Sequence, residues 1–252
     1  MGKIIAVTNQ KGGVGKTTTA VNLSAALGIL EKKTLLIDLD PQGNSTSAFG
    51  IEKDKLTLQI YNSLISYEPI ENVIRDTDIE FLKIAPSNIN LTGAEIELVK
   101  DFSREKKLKE VLESVKNRYD YIIIDCPPSL NLLTVNALTA CTDIIIPIQC
   151  EYYALEGVSQ LINTIRIIQQ SLNPNLQLLG VLLTMYDSRL NLSQQVAKEV
   201  QRYFKEKVFE TIIVRNVKLS EAPGFGKPIF HYDIKSTGAK NYLKLAMELL
   251  ER

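Results

Sequence analysis

One junction near the start of the chain limits what the rest can fold into. The apolar run Lys3-Ile4-Ile5-Ala6-Val7-Thr8 passes into Lys11-Gly12-Gly13-Val14-Gly15-Lys16-Thr17-Thr18, and a helical pattern from Ala20 to Leu30 follows. A strand, a glycine-rich loop, a lysine, a hydroxyl and a helix, in that order, form a cradle for nucleotide phosphates. The glycines let the backbone approach an anion closely and aim its N–H groups inward. The dipole of the following helix adds to the attraction. In this reading Lys16 reaches the β- and γ-phosphates and the Thr17 hydroxyl ligates Mg²⁺. The common spacing G-x-x-x-x-G-K-[ST] wants glycine where this chain has Gln10, and a second lysine, Lys11, opens the loop instead. A lysine ahead of the glycines points away from Lys16 and is available to a second subunit.

The rest of the chain continues this unit. Candidate strands lie at Lys3–Thr8, Thr34–Leu39, Glu80–Ala85, Tyr121–Asp125, Asp143–Ile148, Leu178–Thr184 and Phe209–Val214. Candidate helices lie at Thr17–Leu30, Thr57–Ser66, Thr92–Val99, Arg104–Arg118, Ser129–Thr139, Leu155–Gln170, Asn191–Lys205 and Gly238–Leu250. Ile122-Ile123-Ile124 and Ile144-Ile145-Ile146 are apolar on both faces, the mark of a parallel sheet covered on each side by helices. The expectation is a doubly wound α/β fold, its mostly parallel β-sheet flanked by helices and its ligands at the carboxyl ends of the strands. With 252 residues, 45% of them hydrophobic, the chain suits a single domain over residues 1–252. The least regular stretch, Asp40 to Leu56, follows a strand end directly, where a switch loop would be useful.

Composition narrows the chemistry. Cys126, Cys141 and Cys150 form no C-x-x-C pair, so they read as buried small apolar residues in a reducing compartment. The only histidine, His231, cannot build a metal cluster or a Ser-His-Asp triad. Chemistry therefore rests on phosphate, Mg²⁺, lysines and carboxylates. No run approaches the ~18 apolar residues of a membrane helix, and the first strand leaves no room for a signal peptide. The expected location is the cytoplasm. The chain has 29 Lys+Arg and 29 Asp+Glu, yet Asp187 to Arg252 holds 12 basic and 8 acidic residues. Such an excess usually reflects solvated helix faces, and it also suits a surface that meets nucleic acid.

Leu36-Ile37-Asp38-Leu39-Asp40 ends one apolar strand with two aspartates, and Ile122-Ile123-Ile124-Asp125 ends another with one. An isolated aspartate there usually caps a turn. Beside a phosphate loop it reads as a carboxylate that supports Mg²⁺ through water. Asp38 and Asp40 share a face if the strand continues through both, with Asp38 nearer the metal and Asp40 placed to orient an attacking water.

Taken together these segments resemble one family. Gln10 to Thr19 with Asn22-Leu23 resembles the deviant Walker A loop of the ParA/MinD ATPases, a branch of the P-loop NTPases. Leu36 to Thr46 resembles their second motif, and Tyr119 to Leu130 their Walker B segment. Arg215 to Pro223 and Gly226-Lys227-Pro228-Ile229 resemble the chromosomal ParA (Soj) branch, so the likeness spans the whole chain. It implies an ATP- and Mg²⁺-dependent switch for partitioning chromosomes or plasmids. ATP drives a sandwich homodimer that binds double-stranded DNA without sequence preference, at the nucleoid. A ParB-like centromere-binding protein stimulates hydrolysis and releases it, and no membrane takes part.

Site roles follow from the same resemblance. Gly12, Gly13, Val14 and Gly15 wrap the phosphates. Lys11 reaches the neighbouring subunit's phosphates, and its contribution goes largely into dimer assembly. Lys16 binds the β- and γ-phosphates in cis, Thr17 ligates Mg²⁺ with Asp38 and Asp125 close by, and Thr18 contacts the α-phosphate. Asp40 positions the hydrolytic water. Adenine maps to Val214 and Asn216, although the family commonly has proline where Val214 stands. Arg189, Lys218, Lys227, Lys235 and Lys240 are the DNA candidates, Lys218 standing where arginine is usual. Longer relatives carry an N-terminal helix-turn-helix, for which this chain has no room, so DNA binding is expected to be phosphate-directed and salt-sensitive.

Three rivals stand against this reading. A MinD-like regulator of division would need a C-terminal amphipathic membrane anchor, and Asn241 to Leu250 does carry an apolar face; Glu248 and Glu251 disfavour an anionic membrane, so a core-packed helix is the better reading. An iron–sulfur reductase like the nitrogenase iron protein would need cysteines bridging two subunits, and Cys126 lacks that context. A non-enzymatic scaffold would not need Lys16, Thr17, Asp40 and Asp125 together.

Overall fold

Short strands that are apolar on both faces require helices above and below, and that is the architecture observed. The structure, a computed structural model, describes residues 2–151 and 156–252, with Glu156 and Gly157 described by backbone alone. Strand β1 (Lys3–Val7) leads into α1 (Lys16–Ile29). Then come β2 (Thr34–Asp38), α2 (Asn44–Ser47), α3 (Ile60–Ile65), α4 (Ile70–Val73), β3 (Arg75–Asp76), β4 (Leu82–Ala85), α5 (Leu91–Glu97) and α6 (Lys107–Leu112). The alternation continues through β5 (Tyr121–Asp125), α7 (Leu132–Ala140), β6 (Asp143–Gln149), α8 (Glu156–Ser171), β7 (Gln177–Thr184) and α9 (Asn191–Phe204). Helices α10 (Val217–Glu221), α11 (Ile229–Tyr232) and α12 (Thr237–Glu251) close it. Leu155, where the sequence pattern starts α8, lies outside the described residues.

The seven strands run in the order β3-β4-β2-β5-β1-β6-β7, all parallel except the two-residue edge strand β3. The sheet splits the core in two. Ile4, Ala6, Ile122, Ile124, Ile144 and Ile146 face one cluster, whereas Ile5, Val7, Ile123 and Ile145 face the other with α1 and α12. Tyr242, Leu245, Ala246 and Leu249 of α12 are buried there against α1, so the apolar face of the last helix is internal. Among the described residues no helix is long and apolar enough to cross a membrane.

Helix α1 is nearly all buried, and its neighbours are correspondingly close. A Cβ on Gly28 would lie 2.9 Å from Ile79 Cγ2. The helix ends in a Schellman turn, with Glu31 N–H donating to Gly28 O and Lys32 N–H to Leu27 O. Glu31 holds the left-handed position at φ 58°.

The structure corrects several expected elements. Phe209–Val214 is no strand but makes intermittent bonds to β7, from Phe209 N to Val181 O and from Ile213 N to Leu183 O. Between them the amides of Glu210 and Thr211 donate to the Glu248 carboxylate of α12, which interrupts the ladder. The stretch expected as one helix from Arg104 to Arg118 is helical only over Lys107–Leu112, and Thr57–Ser66 only over Ile60–Ile65. Gln59 caps the latter, exchanging bonds with Asn62.

Candidate active site

Register places three strand ends together. Val7 pairs with Asp125, and Asp38 pairs with Asp125 on the other side, so the loop after β1 opens beside both aspartates. That loop is held from below. Asn9 Nδ2 donates to Pro147 O at 2.7 Å, its Oδ1 accepts the Lys11 amide at 3.0 Å, and Thr184 Oγ1 donates to Val14 O at 2.9 Å. Gly13 and Gly15 have φ of 74° and 87°, left-handed values that favour glycine, and Gly15 is the N-cap of α1. The first-turn N–H groups of α1 have no acceptor within the helix and face the loop mouth.

Lys16 is buried, and its Nζ donates to the carbonyl oxygen of Lys11 at 2.9 Å. Burial lowers its pKa, while Asp125, Cys126 and Asp40 pull the other way. The Lys11 side chain does not meet Lys16; its Nζ lies 3.8 Å from Glu151 Oε2, and Arg215 lies the same distance from Glu151 Oε1.

The aspartates differ in their bonding. Asp38 ends β2 and Asp40 lies beyond the strand, so they do not share a strand face. Both oxygens of Asp38 are engaged: Oδ1 by the Asp40 amide at 3.2 Å, Oδ2 by the Thr46 amide at 2.8 Å and hydroxyl at 2.7 Å. Its carboxylate thus secures the loop between β2 and α2. Asp125 Oδ2 accepts from Ser45 Oγ at 2.7 Å, while its Oδ1 is buried with no hydrogen-bond partner among the described residues. Burial and the charge of Asp38 raise the Asp125 pKa to about 8, opposed by the hydroxyls of Ser45 and Thr17. Burial raises Asp38 to about 6 against its bonds to Thr46 and Asp40. A buried carboxyl oxygen without a partner, beside a hydroxyl and a buried lysine, fits a divalent cation bound with phosphate. Thr17 and Asp125 are the side chains that would hold it.

A cavity of about 260 Å³ joins Gly15 and Thr18 to Thr184, Val214, Asn216 and Pro223. It brings the expected adenine residues next to the phosphate loop. Asn216 Oδ1 caps α10 by accepting the Lys218 amide at 2.9 Å. The larger cavities at Lys3 and Arg252 lie at the opposite end of the sheet, away from this chemistry.

The expected DNA residues fall into two groups. Arg189 is chelated by Asp187, Nε to Oδ1 at 2.9 Å and Nη2 to Oδ2 at 2.6 Å, which lowers Asp187 to about 2. Lys218 pairs with Glu221 at 2.9 Å. Lys227, Lys235 and Lys240 are exposed and have no ion pair among the described residues. Lys227 also lines a cavity of about 390 Å³ with Thr17, Thr18 and Asn44, adjoining the phosphate loop. Cys126, Cys141 and Cys150 are buried and free, and Cys126 is inaccessible to a second subunit's cluster. Sequence reasoning missed Asn9, Ser45, Thr46, Ser87 and Thr184, whose small polar side chains carry no pattern of their own.

A phosphate cradle at the carboxyl end of a parallel sheet, with a lysine on each side of its glycines, defines a P-loop NTPase with the deviant Walker A loop. The family model described as an AAA domain matches residues 2–178. The sporulation initiation inhibitor protein Soj of Bacillus subtilis is 59% identical over 249 residues, covering 99% of this chain and 98% of that protein. The chromosome partitioning protein ParA of Myxococcus xanthus is 55% identical over 252 residues, covering 100% of this chain and 89% of that one. The cobyrinic acid a,c-diamide synthase of Mycobacterium smegmatis, solved with a bound ATP analog and magnesium, is 40% identical with a TM-score of 0.88. The match covers 100% of this chain and 95% of that one. The chain belongs to the Soj/ParA family of chromosome-partitioning ATPases.

Proposed function

We propose that the chain, as one ATPase domain over residues 1–252, is an ATP-dependent switch that partitions chromosomes or plasmids. ATP and Mg²⁺ are its cofactors. The observation that carries the reading is Asp125 Oδ1, buried and unpartnered beside Thr17 and Lys16. When bound, Mg²⁺ neutralises charge on the β- and γ-phosphate oxygens and favours the ionised form of Asp125.

The chain's own residues divide the work. The Lys16 ammonium exchanges a neutral carbonyl for phosphate oxygens, a stronger charge-assisted bond. Thr18 meets the α-phosphate, and the cavity at Val214 and Asn216 takes the base. Asp40 accepts a hydrogen bond from water and aims it at the γ-phosphorus. Lys11 leaves Glu151, a weak half-exposed partner, for the phosphates of a second copy. The closed dimer presents Lys227, Lys235 and Lys240, with Arg189 and Lys218, to duplex phosphates. A ParB-like protein stimulates hydrolysis, which is slow without it, and the cycle runs in the cytoplasm at the nucleoid.

Retention of the protein on duplex DNA of arbitrary sequence, across a salt series, tests the cycle. Binding with ATP that weakens steeply with salt and is absent with ADP is the expected result. Retention independent of nucleotide would overturn it.

A further inference from the structure

The geometry points to Ser87 and Thr46 as positioning residues for Asp40, an assignment that rests on the proposed water-orienting role of that carboxylate. Asp40 lies in an irregular loop between β2 and α2, where nothing in secondary structure fixes its direction. Four hydrogen bonds fix it instead, and they close a ring. Asp40 N–H donates to Asp38 Oδ1 at 3.2 Å, and Thr46 Oγ1 donates to Asp38 Oδ2 at 2.7 Å. The Ser87 amide donates to Thr46 Oγ1 at 2.8 Å, and Ser87 Oγ returns to the Asp40 carbonyl at 2.9 Å.

Every member of the ring is buried: Asp38, Thr46 and Ser87 are 0% exposed and Asp40 is 6% exposed. The Asp40 carboxylate is oriented in turn by the Gln42 amide, which donates to Oδ1 at 2.9 Å. Ser87 follows β4, which β2 and β5 separate from β1 and its phosphate loop in the sheet. It makes no hydrogen bond to that loop among the described residues. Ser87 and Thr46 therefore act on Asp40 and not on nucleotide affinity. A misplacement of about 1 Å in such a group costs on the order of 100-fold in rate.

The variants Ser87→Ala, Thr46→Val and Thr46→Ser in the full chain test this, with Asp40→Ala as reference. ATP affinity is read by a fluorescent ATP analogue, kcat and KM by phosphate release, and Tm by calorimetry. Ser87→Ala and Thr46→Val are expected to lose roughly 10- to 100-fold in kcat with KM and ATP affinity unchanged. Thr46→Ser keeps the hydroxyl and is expected to retain the parental kcat. The assignment is overturned if Ser87→Ala and Thr46→Val keep the parental kcat while Asp40→Ala is inactive. It is equally overturned if their affinity falls in proportion to turnover, the mark of a merely structural role. Normal hydrolysis by Asp40→Ala would instead remove the role of Asp40 itself.

Discussion

The ammonium of Lys16 donates to the main-chain carbonyl of Lys11 at 2.9 Å, so the two lysines of the phosphate loop meet through backbone and not through their side chains. The inner lysine is held over the cradle and the outer one is left to other partners. Each makes a separate prediction.

Lys16→Ala removes a buried cation that, in the proposed site, faces phosphate oxygens. Deleting one partner of such a pair costs roughly 2–5 kcal/mol, so ATP affinity should fall by at least ~30-fold. Titration with a fluorescent ATP analogue measures it, and unchanged affinity would remove the phosphate-loop assignment.

Lys11→Ala should leave ATP binding by the single chain intact and abolish dimer formation. Its ion pair with Glu151, at 3.8 Å and half-exposed, holds it weakly. Glu151→Gln should accordingly favour the dimer slightly. Size-exclusion chromatography with Mg-ATP distinguishes the two, and a persistent Lys11→Ala dimer would refute the cross-subunit role.

The buried aspartates make apoprotein stability depend on pH. Burial raises Asp125 to about 8 and Asp38 to about 6, against an ordinary 3.8. Between pH 4 and 8 the folded chain therefore binds more protons than the unfolded chain, and stability falls as pH rises through that window. Melting without Mg²⁺ should give a lower Tm at pH 8 than at pH 6. Asp125→Asn, which cannot ionise, should flatten the slope, and an identical slope in that variant would contradict this account.

The Asp187 carboxylate engages the Nε and Nη2 donors of Arg189. Arg189→Glu should weaken ATP-dependent DNA binding without affecting dimerisation, and Asp187→Asn should strengthen it by freeing the guanidinium. Filter binding at moderate salt checks both; DNA retention unaltered in Arg189→Glu would exclude Arg189 from the surface.

Much of this was legible in the sequence because it depends on local patterns. The phosphate loop, the two-faced strands and the strand-end Asp125 each announce themselves within a few residues. Phe209–Val214 looked like a strand because its composition is β-rich, but its neighbour in space is Glu248, some 38 residues on, which takes two of its amides. The hydrogen-bond partners of Asp38 are hidden for a similar reason. A strand-end aspartate beside a phosphate loop suggests a metal, and nothing in its own segment points to the bonds it accepts from Thr46 and the Asp40 amide. Short helices such as Asn44–Ser47 and Ile229–Tyr232 are too brief to show a period of their own. The ring through Ser87 joins segments 41 residues apart, and no spacing rule anticipates it.

Asp40→Ala with saturating Mg-ATP tests the central claim most directly, because it separates holding ATP from hydrolysing it. Sedimentation should show a stable species of twice 28.2 kDa that retains duplex DNA and releases no phosphate. A protein that stays at 28.2 kDa with ATP bound, or that hydrolyses at the parental rate, would contradict the account.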